Sequence, residues 1–205
     1  MNIILIIISV LFSIVWGYYY FLQRDEGNYR ILIITVLTTL AGSCLFQLFD
    51  YGILKIARYI VIMNGLILIA HIDRQKMIIP NRILVILSLV RLVLLIVEGI
   101  VYSNAEYLRE VIVSPFLGFL IGGGLFFICY FLSRNSLGAG DVKLFAVIGL
   151  YVGAGILFPV MMLSALFSAV YGLVMVALHK IGMKDSIPFA PFAAVGTITA
   201  LLLGF

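Results

Sequence analysis

Residues 115–132 read Pro115-Phe116-Leu117-Gly118-Phe119-Leu120-Ile121-Gly122-Gly123-Gly124-Leu125-Phe126-Phe127-Ile128-Cys129-Tyr130-Phe131-Leu132, with no charged side chain anywhere in the run. As a helix this stretch is about 27 Å long, close to the roughly 30 Å hydrocarbon core of a bilayer. It has no polar stripe to turn toward water, so a soluble surface helix is excluded. Further apolar runs lie on both sides, and together they give helices at about 3–22, 31–49, 53–72, 83–97, 115–132, 142–158, 160–179 and 189–205. The sixth and seventh are divided only by Pro159 and the glycines Gly149, Gly153 and Gly155. The expected fold class is all-α: a polytopic bundle of about eight transmembrane helices forming a single membrane domain over 1–205.

Composition supports this. The 205 residues are 64% hydrophobic and 11% charged, with a mean hydropathy of +1.26, against roughly 25% charged in soluble domains. The formal charge of +4 is scattered and forms no basic stripe, so no nucleic-acid partner is expected. The lipid bilayer is the expected surrounding. Cys44 and Cys129 lie in separate apolar runs without neighbouring ligands, which indicates neither a disulfide nor a zinc site.

Threading eight helices sorts the cations. Arg24, Arg30, Arg74, Lys76, Arg82, Arg134, Lys143, Lys180 and Lys184 fall on one side, and Lys55, Arg58 and Arg109 on the other. The positive-inside rule makes the richer side cytoplasmic. Arg91 sits inside the fourth run, where an arginine either snorkels or faces the bundle interior, and the connection from Glu98 to Ser114, which carries Glu98, Glu106 and Glu110, reads as a solvated outer loop.

Two acids stand apart from loop clusters. Asp73 ends the third run in Ala70-His71-Ile72-Asp73-Arg74-Gln75-Lys76, and Asp141 opens the sixth in Leu137-Gly138-Ala139-Gly140-Asp141-Val142-Lys143-Leu144. Both fall at cytoplasmic helix ends at similar depth, where they could meet. Neighbouring carboxylates do not both ionise cheaply, so such a pair holds a water between an acid and a base, the chemistry of an aspartyl protease. Taken singly, Asp141 also suits a helix start and Asp73 an interfacial ion pair. Gly138 and Gly140 favour the site, because they allow tight backbone turns and close approach. No His-Glu-x-x-His zinc motif and no Gly-x-Ser-x-Gly elbow is present. Gly122-Gly123-Gly124 reads as small-residue helix packing.

These segments resemble the type IV prepilin peptidases, membrane aspartyl proteases with a Gly-x-Gly-Asp motif. Three stretches carry the likeness: Asp73 followed by Ile79-Pro80-Asn81; Gly138-Ala139-Gly140-Asp141-Val142-Lys143-Leu144; and Ile187-Pro188-Phe189-Ala190-Pro191-Phe192, with Ala190 where the family has glycine. The resemblance implies that Asp73 and Asp141 are the catalytic pair, with Gly138, Gly140, Lys143, Pro80, Asn81, Pro188, Phe189 and Pro191 supporting the motif or a substrate groove, and with no metal or cofactor. Lys143 would dock the leader or balance charge near Asp141. It also implies prepilin-like substrates with a short basic leader cleaved after a glycine, a place in the plasma (inner) membrane with the site near the cytoplasmic face, and a role in type IV pilus or secretion systems. Larger members insert a zinc-binding domain between the first two helices, and here that loop is only Gln23 to Arg30. The likeness is to the short form and carries an expectation of peptidase activity without one of N-methylation. A proton- or ion-coupled transporter would instead place its ionisable groups at the bilayer midplane. A noncatalytic pilus or secretion assembly partner would hold the aspartates apart.

Overall fold

The computed structural model describes residues 6–7, 9–11, 13–15, 29–102, 109–132, 138–182 and 185–204, and every regular element among them is helical. These are α1 (Tyr29–Leu48), α2 (Ile53–Lys76), α3 (Asn81–Val101), a π-helical turn (Arg109–Val113) running into α4 (Ser114–Leu132), α5 (Ala139–Ala177) and α6 (Ala190–Leu202). Four spans, 53–76, 81–101, 111–132 and 139–177, are long and apolar enough to cross a membrane, and α1 and α6 supply shorter apolar helices. The chain is an all-α membrane protein. Most of the expected first helix and of the Gln23–Arg30 loop lies outside the described residues.

The enclosed and lipid-facing helices differ. α2 and α5 bury most of their apolar windows, whereas α3 and α4 turn most of theirs outward. Leu120, Phe131, Val93 and Ile96 are exposed apolar side chains of the kind that lipid solvates. Inside, Phe46, Ile56, Tyr59, Met63, Leu66, Leu87, Leu144, Phe145 and Tyr151 form one continuous core. Asn64 of α2 donates to Thr39 Oγ1 of α1 at 3.1 Å, a buried interhelical hydrogen bond in that core.

α4 packs antiparallel against the first part of α5 at backbone contact. A Cβ added to Gly118 would strike the carbonyl of Gly149, one on Gly149 would strike that of Gly118, and one on Gly122 would strike that of Phe145. With no hydrophobic drive between helices in lipid, such close approach lets van der Waals contact hold them together.

α5 departs from the expected division into 142–158 and 160–179. Its helical backbone breaks at Gly153 (φ 79°, ψ 171°) and not at Pro159, which lies within the second arm. A straight helix would put Gly172 about 46 Å from Asp141. Yet Ile187, which lines a cavity with Asp141, stands 3.5 Å from where a Cβ on Gly172 would lie. The chain therefore folds back at Gly153, and arms 139–152 and 154–177 run as separate rods of about 21 and 36 Å. The second arm packs against α6, where Gly196 meets Ser164 and Tyr171 meets Phe192 at 5.1 Å between ring centroids.

The break leaves backbone groups without helical partners, and side chains satisfy two of them. Ser114 Oγ accepts the Ala154 N–H at 3.2 Å. Arg91 Nε donates to the Leu150 carbonyl at 3.0 Å, which places a cation at the closing turn of the first arm, where the helix dipole favours it. Of the two readings of Arg91, the inward one holds: it is fully buried and is held by this carbonyl and by Glu98.

Glu98 corrects the sequence reading. It is buried in the last turns of α3 and not solvated in a loop, with its Oε2 3.0 Å from Arg91 and 3.7 Å from Arg58. The helix outlasts the apolar run because Glu98 finds its cations inside the bundle. Glu106 lies outside the described residues.

The glycine contacts can be tested by thermal unfolding in detergent. Gly149→Leu should lower Tm strongly, since overpacking here must move backbone and costs about 1–3 kcal/mol or more. Gly124→Leu should leave Tm nearly unchanged, because no heavy atom lies within 4 Å of its Cβ position.

Candidate active site

Asp73 stands in the last turn of α2, which runs one turn beyond the apolar stretch. The helix then stops at Met77, whose φ of 50° is left-handed and whose N–H returns to the Asp73 carbonyl at 2.7 Å. That turn aims the following residues, Ile78 to Pro80, across the end of the bundle, and Pro80 starts α3 as its N-cap.

The Asp73 side chain is nearly enclosed, at 5% residue exposure. Its Oδ2 accepts the Ala190 N–H at 3.0 Å. Ala190 is the first residue of α6 and Pro191 follows it with no N–H to satisfy. The third sequence segment thus builds a helix start whose free amide is taken by a carboxylate from another helix, as an N-cap would take it. Ala190 is itself buried and fits without displacing this contact.

Asp141 lies in the first turn of α5 at 8% exposure. Its Oδ2 accepts the Gly138 N–H at 3.1 Å, and its own N–H donates to the Gly138 carbonyl at 3.0 Å. The two glycines have separate reasons. A Cβ on Gly138 would stand 3.0 Å from Asp141 Oδ2, and one on Gly140 would stand 3.0 Å from Ile79 Cβ. One lets the carboxylate fold back over its helix start; the other lets the first and second segments touch.

The three segments enclose one cavity of about 440 Å³, lined by Asp73, Met77, Ile79, Gly138, Gly140, Asp141, Ser186, Ile187, Pro188 and Phe189. Both carboxylates belong to it. Behind it Phe126 and Phe145 stack at 3.9 Å between centroids, with Phe189 6.0 and 5.8 Å from them, so α4, α5 and the third segment share one aromatic floor. Among the described residues no group of three His, Cys, Asp or Glu is placed to hold a metal.

Of the residues singled out in the sequence, Asp73, Asp141, Gly138, Gly140, Pro188 and Phe189 line the cavity, and Pro80, Asn81, Lys143 and Pro191 do not. Lys143 has a definite partner: its Nζ donates to Asn81 Oδ1 at 3.1 Å, linking the first and second segments on the exposed side. Met77 and Ser186 are additions that the motifs did not name. Met77 follows Asp73 by four residues, a spacing that returns to the same helix face, so that signal was present.

A profile of the type IV leader peptidase family matches residues 60–173. The chain belongs to the type IV leader peptidase family. It is 31% identical over 183 residues to the prepilin leader peptidase/N-methyltransferase of Bacillus subtilis (strain 168), covering 86% of this chain and 69% of that protein. It is 29% identical over 140 residues to the protein of the same name from Aeromonas salmonicida (strain A449), covering 68% of this chain and 46% of the relative. With the like-named Pseudomonas aeruginosa protein it shares 37% identity over 71 residues, which cover 35% of this chain and 24% of that one. The chain thus spans about two thirds of the first of these relatives and about half of the second. No solved structure matches it.

In the family site, the Lys143–Asn81 contact is exposed and its contribution modest. Lys143→Ala and Asn81→Ala should each lower unfolding stability slightly, and the double variant should be little worse than either. A double-mutant cycle should give a coupling of about 0.5 kcal/mol, and strict additivity would show that the contact does not form.

Proposed function

We propose that this chain is a membrane aspartyl endopeptidase that removes leader peptides from prepilin-like proteins, with Asp73 and Asp141 as its catalytic pair. The observation that carries the reading is the meeting of both carboxylates in one cavity, in a chain whose family relatives are named prepilin leader peptidases.

The chemistry uses the pair as a unit. One carboxyl is ionised and the other holds a proton, with a water between them. The ionised carboxylate takes a proton from the water as its oxygen attacks the scissile carbonyl carbon, while the protonated carboxyl donates to the carbonyl oxygen. The tetrahedral species collapses as the carboxyl that took the water proton passes it to the amide nitrogen and the other, now ionised, takes a proton from a gem-diol hydroxyl; the C–N bond breaks, and a new carboxyl and a new amine leave. The amides of Ala190 and Gly138 fix the orientation of the two carboxylates so that each keeps an oxygen for the water.

The substrate enters at the membrane boundary. Arg74, Lys76, Arg82 and Lys143 lie on the turns around the cavity, whereas Lys55 and Arg58 lie near the other end of α2. The positive-inside rule then puts the cavity at the cytoplasmic face of the plasma membrane, where a short basic leader emerges from an apolar helix. Ile79, Ile187, Pro188 and Phe189 offer apolar walls to an extended chain, and selectivity rests on the leader and the helix fitting between spans.

Co-expression with a prepilin-like substrate tests this reading by loss of the leader on a gel. The parent should cleave, and Asp73→Asn and Asp141→Asn should each lower the rate about a thousandfold at equal membrane levels, because groups acting as a unit fail together. Cleavage that survives either substitution would contradict the mechanism. A parent that cleaves none of several prepilins would favour the assembly-partner role.

A further inference from the structure

The cluster around Arg91 lies at the other end of the bundle. Arg58 precedes Asp73 by fifteen residues on α2, about 22 Å along the helix. Arg58 Nη1 and Arg91 Nη1 approach the same oxygen, Glu98 Oε2, at 3.7 and 3.0 Å. Two guanidinium groups thus share one carboxylate, which leaves a formal excess of one positive charge. Arg91 is fully buried and the Glu98 side chain is 3% exposed, while the Arg58 side chain, at 14%, reaches the surface.

Two donors in the cluster remain unsatisfied. Arg91 Nη2 and Arg58 Nε are buried without a hydrogen-bond partner. A buried donor left unmade costs about 1–3 kcal/mol, and an unbalanced charge in apolar surroundings costs more. The helix break explains Arg91 Nε, which holds the Leu150 carbonyl, but it does not account for the second guanidinium or for the free donors. Arg58 is the member of the cluster that reaches the surface, so the excess charge is presented there, and an anion with several acceptor oxygens would answer it. The planar fork of arginine suits phosphate oxygens above other anions of that kind.

The position selects the source of that phosphate. Arg58 lies in the second turn of α2 and Glu98 in the last turns of α3, near the ends of two membrane-length helices, where headgroups stand. Tyr51 and Tyr102 flank those turns just outside the two helices, as tyrosine does at membrane interfaces. The exposed side chains there, Ile53, Val97, Ile100 and Val101, are apolar and suited to acyl chains. We propose that Arg58, backed by Arg91, binds the phosphodiester of an anionic phospholipid at the end of the bundle away from the aspartates.

The experiment uses the full chain in neutral detergent, with phosphatidylglycerol, phosphatidylcholine or inorganic phosphate added, read by thermal unfolding and by native mass spectrometry. Phosphatidylglycerol should raise Tm and remain bound where phosphatidylcholine does not. Arg58→Gln should weaken its retention about tenfold, the loss expected for one charged hydrogen-bonded contact. Equal effects of the two lipids on the unaltered protein would overturn the proposal, and that comparison needs no variant to fold. Inorganic phosphate reproducing the shift without lipid would overturn the lipid as the source. Retention of phosphatidylglycerol by a folded Arg58→Gln at parental strength would overturn the assignment to this cluster.

Discussion

The hydrogen bond from the Ala190 amide to the Asp73 carboxylate joins residues 117 positions apart, and the arrangement of the bundle end follows from it. A helix start in a membrane protein must find partners for its free N–H groups, because lipid offers none. α6 finds one in a side chain of α2. That single contact orients a carboxylate, anchors the Ile187–Phe192 segment and closes one wall of the cavity. Asp141 solves the same problem locally, by folding back onto Gly138 at the start of its own helix. Both aspartates therefore serve as caps as well as acids, and each capping amide fixes where its carboxylate points.

For the third segment to reach Asp73, the chain must return to the end it left at Asp141. Gly153 permits the return, because its φ of 79° is open to glycine at little cost. The surroundings then repair what the break exposes: Ser114 takes one amide, Arg91 one carbonyl, and Gly118, Gly122 and Gly149 bring α4 against the first arm. A buried arginine in an apolar run therefore has a structural task at the helix break. It is pinned between Leu150 and Glu98, which is unlike the mobile midplane group that a transporter needs.

Much of this was legible in the sequence. Charge-free runs of bilayer length gave an all-helical membrane protein, and the equal depth of Asp73 and Asp141 followed from threading those runs alternately. The three short segments pointed to one place because each sits where a run starts or stops. The break at Gly153 was harder to read than Pro159, since proline is the louder helix signal, yet only glycine readily adopts the backbone found at 153. Glu98 was misplaced because an acid beside a polar stretch reads as solvated. Its spacing of seven from Arg91 returns to the same helix face, and that was the available sign of a buried pair. The amide of Ala190 left no trace in the sequence, since a backbone donor has no residue type.

The central claim is that two acids from the two most enclosed helices share one cavity, and a distance between them tests it without any substrate. Asp73→Cys and Asp141→Cys can be combined in a chain carrying Cys44→Ser and Cys129→Ser, with Asp141→Cys and Ile53→Cys, at opposite ends of the bundle, as the comparison pair. A short thiol-to-thiol reagent applied in native membranes should bridge 73 and 141 rapidly and leave 53 and 141 unbridged. Failure of the 73–141 pair to bridge in folded protein, with both thiols still open to a monofunctional reagent, would contradict the account.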